Sequence, residues 1–237
     1  MTTPLMPPIA PPAGNPLAPD WAAPPFPPAK VLEGQWCRLE PIDPARHLDD
    51  IWAVNAGHEH IWDWMPAYPP NTKDEYRVLL ETMATKAGIV PYAVIDKADG
   101  KAKGHLWIME IRPEQGVFEV GYITYSPVLQ RTRVATEAIH LVGEYGFSLG
   151  YRRYEWKCNN LNEPSKRAAQ RFGFRFEGLF RQHMVVKGQN RDTAWFSILD
   201  AEWPTVSAAF RAWLAPENFD EAGRQKARLD SFRPGAA

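Results

Sequence analysis

A chain of 237 residues, 45% of them hydrophobic, is long enough for one domain with a full core even after an arm is set aside. Its 27 Lys plus Arg against 28 Asp plus Glu leave a formal charge of -1 and no basic block, which excludes a general polyanion-binding surface and predicts no nucleic-acid partner. Two distant cysteines, Cys37 and Cys158, exclude a disulfide framework, and no run of eighteen apolar residues or leader-like start occurs, so a cytoplasmic protein without a membrane partner is expected.

Of 23 prolines, 11 fall within the first 28 residues, which predicts a disordered, proline-rich arm over residues 1–28. The domain is expected over residues 31–215, followed by a polar tail over 216–237. Alternation in Trp36-Cys37-Arg38-Leu39-Glu40 predicts a first strand stopped by Pro41. Asp43 then caps a helix with Pro44 at its first position, running to about Ala56. After an aromatic loop from Trp62 to Pro70, Thr72 to Ala87 reads as a second helix with Tyr76, Leu79, Leu80 and Met83 on one side.

Three strands follow, Tyr92 to Asp96, Gly104 to Ile111 and Val117 to Tyr125, as an antiparallel meander. Past Pro127 the period becomes 3.6, with Val134, Ala138, Leu141, Val142, Tyr145 and Leu149 on one helix face up to Gly150. Arg153 to Cys158 is a strand, Asn162 to Arg171 a short helix, and two strands lie within Phe174 to Lys187 and Thr193 to Ala201. A helix from about Pro204 to Leu214 closes the order. A strand-helix-strand unit inside a mostly antiparallel meander predicts an α/β (α+β) domain with a mixed sheet flanked by helices.

Chemistry concentrates where the strand ending at Tyr125 feeds the long helix through Gln130-Arg131-Thr132-Arg133-Val134-Ala135-Thr136. Unpaired amides and the positive dipole end at a helix start suit a phosphate, while the plainer reading is a solvent-facing basic turn. The stretch resembles the acetyl-CoA-binding segment of the GNAT acetyltransferases, whose loop runs Gln/Arg-x-x-Gly-x-Gly/Ala, with Arg133 standing where that loop has its first Gly. Asn162-Glu-Pro-Ser165, followed by Gly173-Phe174, is similar to the Asn-x-x-Ser and Gly-Phe segment of the same superfamily. Gly121-Tyr122 and Arg191-Asp192-Thr193 resemble its ribosomal-protein N-acetyltransferase-like (Rim-type) branch.

The resemblance spans about Val31 to Trp203 and implies an N-acetyltransferase that uses acetyl-CoA as cosubstrate, needs no metal, and acts on an amine acceptor, a small molecule or a protein N-terminus. Cofactor contacts are then expected from Ile123, Thr124, Tyr125, Gln130, Arg131, Thr132, Arg133, Val134, Ala135, Thr136 and Asn162. Ser165 is the expected donor to the departing thiolate. Glu119 is the expected base, on the same strand face as Ile123 and Tyr125 by simple alternation, with pairing to an Arg across the sheet as its plainer role. His183 is a second candidate base, and its plainer role is structural. The loop residues Trp62, Asp63, Trp64 and Tyr68 are the expected acceptor-side residues, with core packing as the alternative. Arg133 also motivates a different class of function, a catalytically silent CoA-binding or regulatory module.

Overall fold

The structure, a computed structural model, describes residues 17 and 20–233. After the strand β1 (Leu32–Glu33) come β2 (Cys37–Pro41), helix α1 (Pro44–Asn55), a 3-10 turn (Glu59–Trp62) and α2 (Lys73–Thr85). The meander is β3 (Val90–Asp96), β4 (Lys101–Arg112) and β5 (Val117–Tyr125). Then α3 (Arg133–Ser148), β6 (Arg153–Asn159), α4 (Glu163–Phe172), β7 (Arg175–Val186), β8 (Gln189–Leu199) and α5 (Trp203–Leu214) complete the chain order expected from periodicity, to which the structure adds the two-residue β1. One sheet holds all eight strands in the order β1-β2-β3-β4-β5-β6-β8-β7. Only the β5–β6 pair is parallel, as a right-handed connection through α3 requires.

Local chemistry fixes the helix starts. Asp43 accepts from the Ala45 amide at 3.0 Å with Pro44 in the first helical position, and Thr72 accepts from Glu75 at 3.1 Å. Asn162 caps α4 by accepting from the Ser165 amide at 3.1 Å. Gly173 ends that helix at φ 98°, in the left-handed region that favours glycine.

Two apolar layers cover the sheet. Against one face, α3 and α5 enclose Phe118, Val120, Ala138, Val142, Tyr154, Phe196 and Phe210. Phe118 is fully buried and stacks on Tyr154 with ring centroids 4.6 Å apart. Against the other face, α1 and α2 bury Ile51, Trp62, Tyr76, Leu80, Met83, Ile95 and Trp107 over β3 and β4. The face of β6 and β8 on that second side carries charged and polar residues instead: Arg153, Glu155, Lys157 and Asn159 on β6 alternate with the core residues Tyr154, Trp156 and Cys158.

One expectation is corrected, and two segments lie closer to the domain than their composition suggests. Strand alternation fails within β5, because Leu106 on β4 faces two residues, Tyr122 and Ile123, between the pairs His105–Thr124 and Trp107–Gly121. This bulge, with Tyr122 at φ 48°, puts Ile123 and Tyr125 on the α3 side with Phe118 and Val120, opposite to Glu119. The expected disordered arm lies in large part outside the described residues, yet its described end is held. Pro24 and Pro27 are buried, and the hydroxyls of Tyr151 and Tyr145 donate to the carbonyls of Pro25 (3.1 Å) and Pro28 (2.6 Å). The polar tail is also packed as far as Arg233: Leu229 is buried, Asn218 bridges Trp213 and Ala227, and Arg233 donates to the Arg171 carbonyl at 2.9 Å. Composition hid both segments, because proline-rich and polar stretches carry no period, while their anchors are scattered single residues: Pro24, Pro27, Phe219, Leu229 and a few hydrogen bonds.

Candidate active site

Hydrogen-bonded pairing between β5 and β6 runs from Val117–Arg153 to Glu119–Glu155 and stops there. Beyond it the two strands diverge, so the edge of β5 from Val120 to Tyr125 has no β6 partner. Ile123 and Tyr125 pack on the α3 core, and Thr124 is buried with its hydroxyl lacking a partner. The cleft opens toward the start of α3, where Thr132 caps the helix by accepting from the Ala135 amide at 3.1 Å. Among the described residues, the amides of Arg131, Arg133 and Val134 have no acceptor, which leaves three donors at the positive end of a sixteen-residue helix.

Side chains of this loop hold its shape. Gln130 donates to the Tyr125 carbonyl at 2.9 Å, the Thr132 hydroxyl to Leu129 at 2.7 Å, and Thr136 to the Thr132 carbonyl at 3.1 Å. Ala135 is buried beneath them. The left-handed residue is Arg131, at φ 63° with an exposed side chain, whereas Arg133 is the first helical residue. No glycine conformation is therefore demanded at 133. Its guanidinium lies 3.6 Å from the Trp36 ring centroid and also faces Phe219, so the side chain is held by aromatic rings and its backbone is unstrained.

The Ser165 hydroxyl accepts from the Trp156 indole at 3.0 Å, and its own proton can turn to the neighbouring Cys158 sulfur or to another acceptor. Cys158 is buried beside it, and burial pushes that thiol up, with Ser165 opposing. Glu119 is 2% exposed, and burial raises its carboxyl to about 7 while Lys157 opposes the shift. The Lys157 ammonium stands 3.0 Å from Oε2, close but not aligned as a hydrogen bond. The partner of Glu119 is thus a lysine on the adjacent strand, not an arginine. A carboxyl that titrates near neutrality in a buried site can accept a proton at working pH.

His183 lies within the bulge of the exposed edge strand β7, with Nδ1 3.0 Å from the Thr193 hydroxyl and its ring against Phe180 and Trp195, so the Trp195 ring stands between it and Lys157. Trp62, Asp63, Trp64 and Tyr68 do come together. They line a cavity of about 520 Å³ closed on its other side by Asn159, Lys187 and Arg191. Trp62 serves both expected roles, packing edge-on to Tyr76 and Tyr122 while forming cavity wall, and its carbonyl accepts from Lys187 at 2.8 Å. Trp64 and Tyr68 are exposed. Sequence reasoning missed Lys157 as the partner of Glu119, since an isolated lysine in a short strand carries no signal. It met Arg191 only through the family resemblance.

Residues 37–175 match the model of the acetyltransferase (GNAT) domain, more than half of the chain, and the protein belongs to that family. It is an acetyltransferase by fold and sequence; acetyl-CoA is the family's general donor, and amines are its acceptors. A GCN5-related N-acetyltransferase from Brucella melitensis is 50% identical, with 90% of this chain and 98% of that one covered at a TM-score of 0.88. A probable GNAT-family acetyltransferase from Chromobacterium violaceum is 39% identical over 84% of this chain and 100% of its own, at a TM-score of 0.76. Among curated relatives, an uncharacterized N-acetyltransferase, YnaD of Bacillus subtilis, is 31% identical over 36% of this chain, and the match spans about half (51%) of that relative. A structure described as a ribosomal-protein-serine acetyltransferase from Vibrio cholerae shares the fold at 20% identity, 73% and 99% coverage and a TM-score of 0.61. No helix among the described residues is long and apolar enough to cross a membrane.

Proposed function

We propose that this acetyltransferase moves an acetyl group from acetyl-CoA to a primary amine by direct attack in a ternary complex, with the diphosphate over the start of α3 and the acyl end in the β5–β6 cleft. The observation that carries this reading is the coincidence of three unpaired amides at Arg131, Arg133 and Val134 with the point where β5 and β6 part. Acetyl-CoA supplies an activated thioester. The chain's own residues then have four tasks. Unpaired main-chain donors of β5 past the bulge stabilise charge on the thioester oxygen. Glu119 takes the proton that the amine must lose, directly or through one water, and the Ser165 hydroxyl donates to the departing sulfur. The walls around Trp62, Asp63, Trp64 and Tyr68 hold the acceptor in line.

Amine nitrogen and thioester carbon form the new bond, the carbon–sulfur bond breaks with its pair on sulfur, and the amine proton leaves through Glu119. Calorimetry with acetyl-CoA followed by a thiol-release assay over a panel of small amines, amino acids and peptide N-termini tests the reading. Ser165→Ala is expected to keep acetyl-CoA affinity and lose about ten- to a thousandfold in kcat. Full kcat in that variant removes Ser165 from the mechanism. Acetyl-CoA binding without thiol release on any amine favours a silent CoA-binding module instead.

A further inference from the structure

Arg191 on β8 is 9% exposed, lines the 520 Å³ cavity, and has no acceptor for Nε. Among the described residues no carboxylate lies within 4.0 Å of its guanidinium. The other arginines on this face are paired: Arg153 holds Glu155 at 2.7 Å and Glu177 at 2.5 Å, and Arg112 holds Glu155. Arg191 shares the face of Thr193 and Trp195, opposite to the core residues Ala194 and Phe196, so it looks onto the same open side as Lys157 and Glu119. Lys187, the neighbouring cation in the cavity, already donates to the Trp62 carbonyl and lies over the Tyr68 ring.

Glu119 acts on Arg191 from a distance, but a buried guanidinium with no carboxylate in contact is costly to keep, and its forked donors match a carboxylate in two parallel bonds. The rest of the lining narrows the ligand. Glu59 and Asp63 also line the cavity, which disfavours a multiply charged phosphate, while the rings of Trp62, Trp64 and Tyr68 offer apolar surface. Resting on the reading that this cavity takes the acceptor, we propose that Arg191 is a substrate-binding residue for a carboxylate on the acceptor amine, so that the acceptor is of the free amino-acid class, with an apolar or aromatic side chain. The carboxylate then anchors at β8 and the amine points toward Glu119 and the β5–β6 cleft.

The test compares free amino acids with their C-terminal amides as acceptors, with acetylated product read by mass spectrometry, and runs alongside calorimetry of 3-indolepropionate against its amide, probes that lack an amine. Wild type should favour the acid over the amide by about a hundredfold in kcat/KM and bind the carboxylate probe alone. Arg191→Gln should bring that preference to within about threefold, mainly through KM, with unchanged acetyl-CoA affinity and an unchanged or raised melting temperature because an unpaired buried charge is gone. Arg191→Lys should recover part of the preference. Equal use of acid and amide by wild type, or a preference retained in Arg191→Gln, overturns the assignment. Carboxylate binding that depends on Arg191 without transfer to any amine supports it while counting against the acetyl-transfer reading.

Discussion

The two halves of the sheet treat buried charge differently. In the β1–β4 half, Glu40 is held by Arg38 and Arg46, each at 2.6 Å, and by His47 at 3.2 Å. Glu137 of α3 reaches the same half and accepts from three amides, those of Gln35, Trp36 and Cys37, at 2.6–2.7 Å. In the β5–β8 half, on the face that α1 and α2 leave open, Glu119 Oε2, Arg191 Nε and the Trp195 indole are buried without hydrogen-bond partners. Neutral polar atoms lack partners in both halves, Asn55 Oδ1, Tyr92 OH, His105 Nδ1 and Trp107 Nε1 in the first, so the contrast lies in the charged groups. The first half closes its carboxylates with protein donors, and the second leaves a carboxylate oxygen and a guanidinium nitrogen for a ligand.

The largest effect that sharpens this contrast is on the core beneath the cleft. Phe118→Ala removes a fully buried ring packed on Tyr154 and against Gly146, and should cost about 3–5 kcal/mol in urea unfolding. A loss below about 1 kcal/mol would mean that the α3 layer repacks and does not fix the strand that carries Glu119.

Glu119→Gln comes next and reads on two axes. Wild-type activity should rise with pH through about 7, as the buried carboxyl ionises, and the variant should lose that limb and fall about a hundredfold at pH 8. Stability runs the other way. The folded protein holds the proton more tightly than the unfolded chain, so this group's contribution is most favourable below 4.5 and declines as pH rises toward about 7. The variant should therefore gain relative to wild type above pH 7, by at most roughly 3 kcal/mol from the size of the shift. Melting temperatures across pH 5–9 check it, and a variant destabilised at pH 8 would show that the Lys157 pair outweighs burial.

The smallest effect separates a held segment from a solvated one. Tyr145→Phe removes the hydrogen bond to the Pro28 carbonyl and should cost about 1 kcal/mol, with a similar loss for Tyr151→Phe at Pro25. Deleting residues 1–28 should cost more than either. A deletion without change in melting temperature would return this segment to the role that its composition suggests.

Local sequence determined the element order, because hydrophobic period and capping chemistry act within a few residues: Asp43-Pro44, Thr72 and Asn162 each announce a helix start that the fold keeps. The loop from Gln130 to Thr136 was legible for the same reason, since a strand feeding a helix leaves amides open whatever the rest of the chain does. What lay beyond reach was pairing across distance. One extra residue at Tyr122 reverses the face of Ile123 and Tyr125 relative to Glu119, and nothing in a period-two pattern marks where a bulge falls. Glu119 became a carboxyl near neutrality only when burial and Lys157 were brought around it. The isolation of Arg191 is likewise a property of neighbours that are absent, which only the packed sheet, with its helices on one side of β8 and a cavity on the other, could decide.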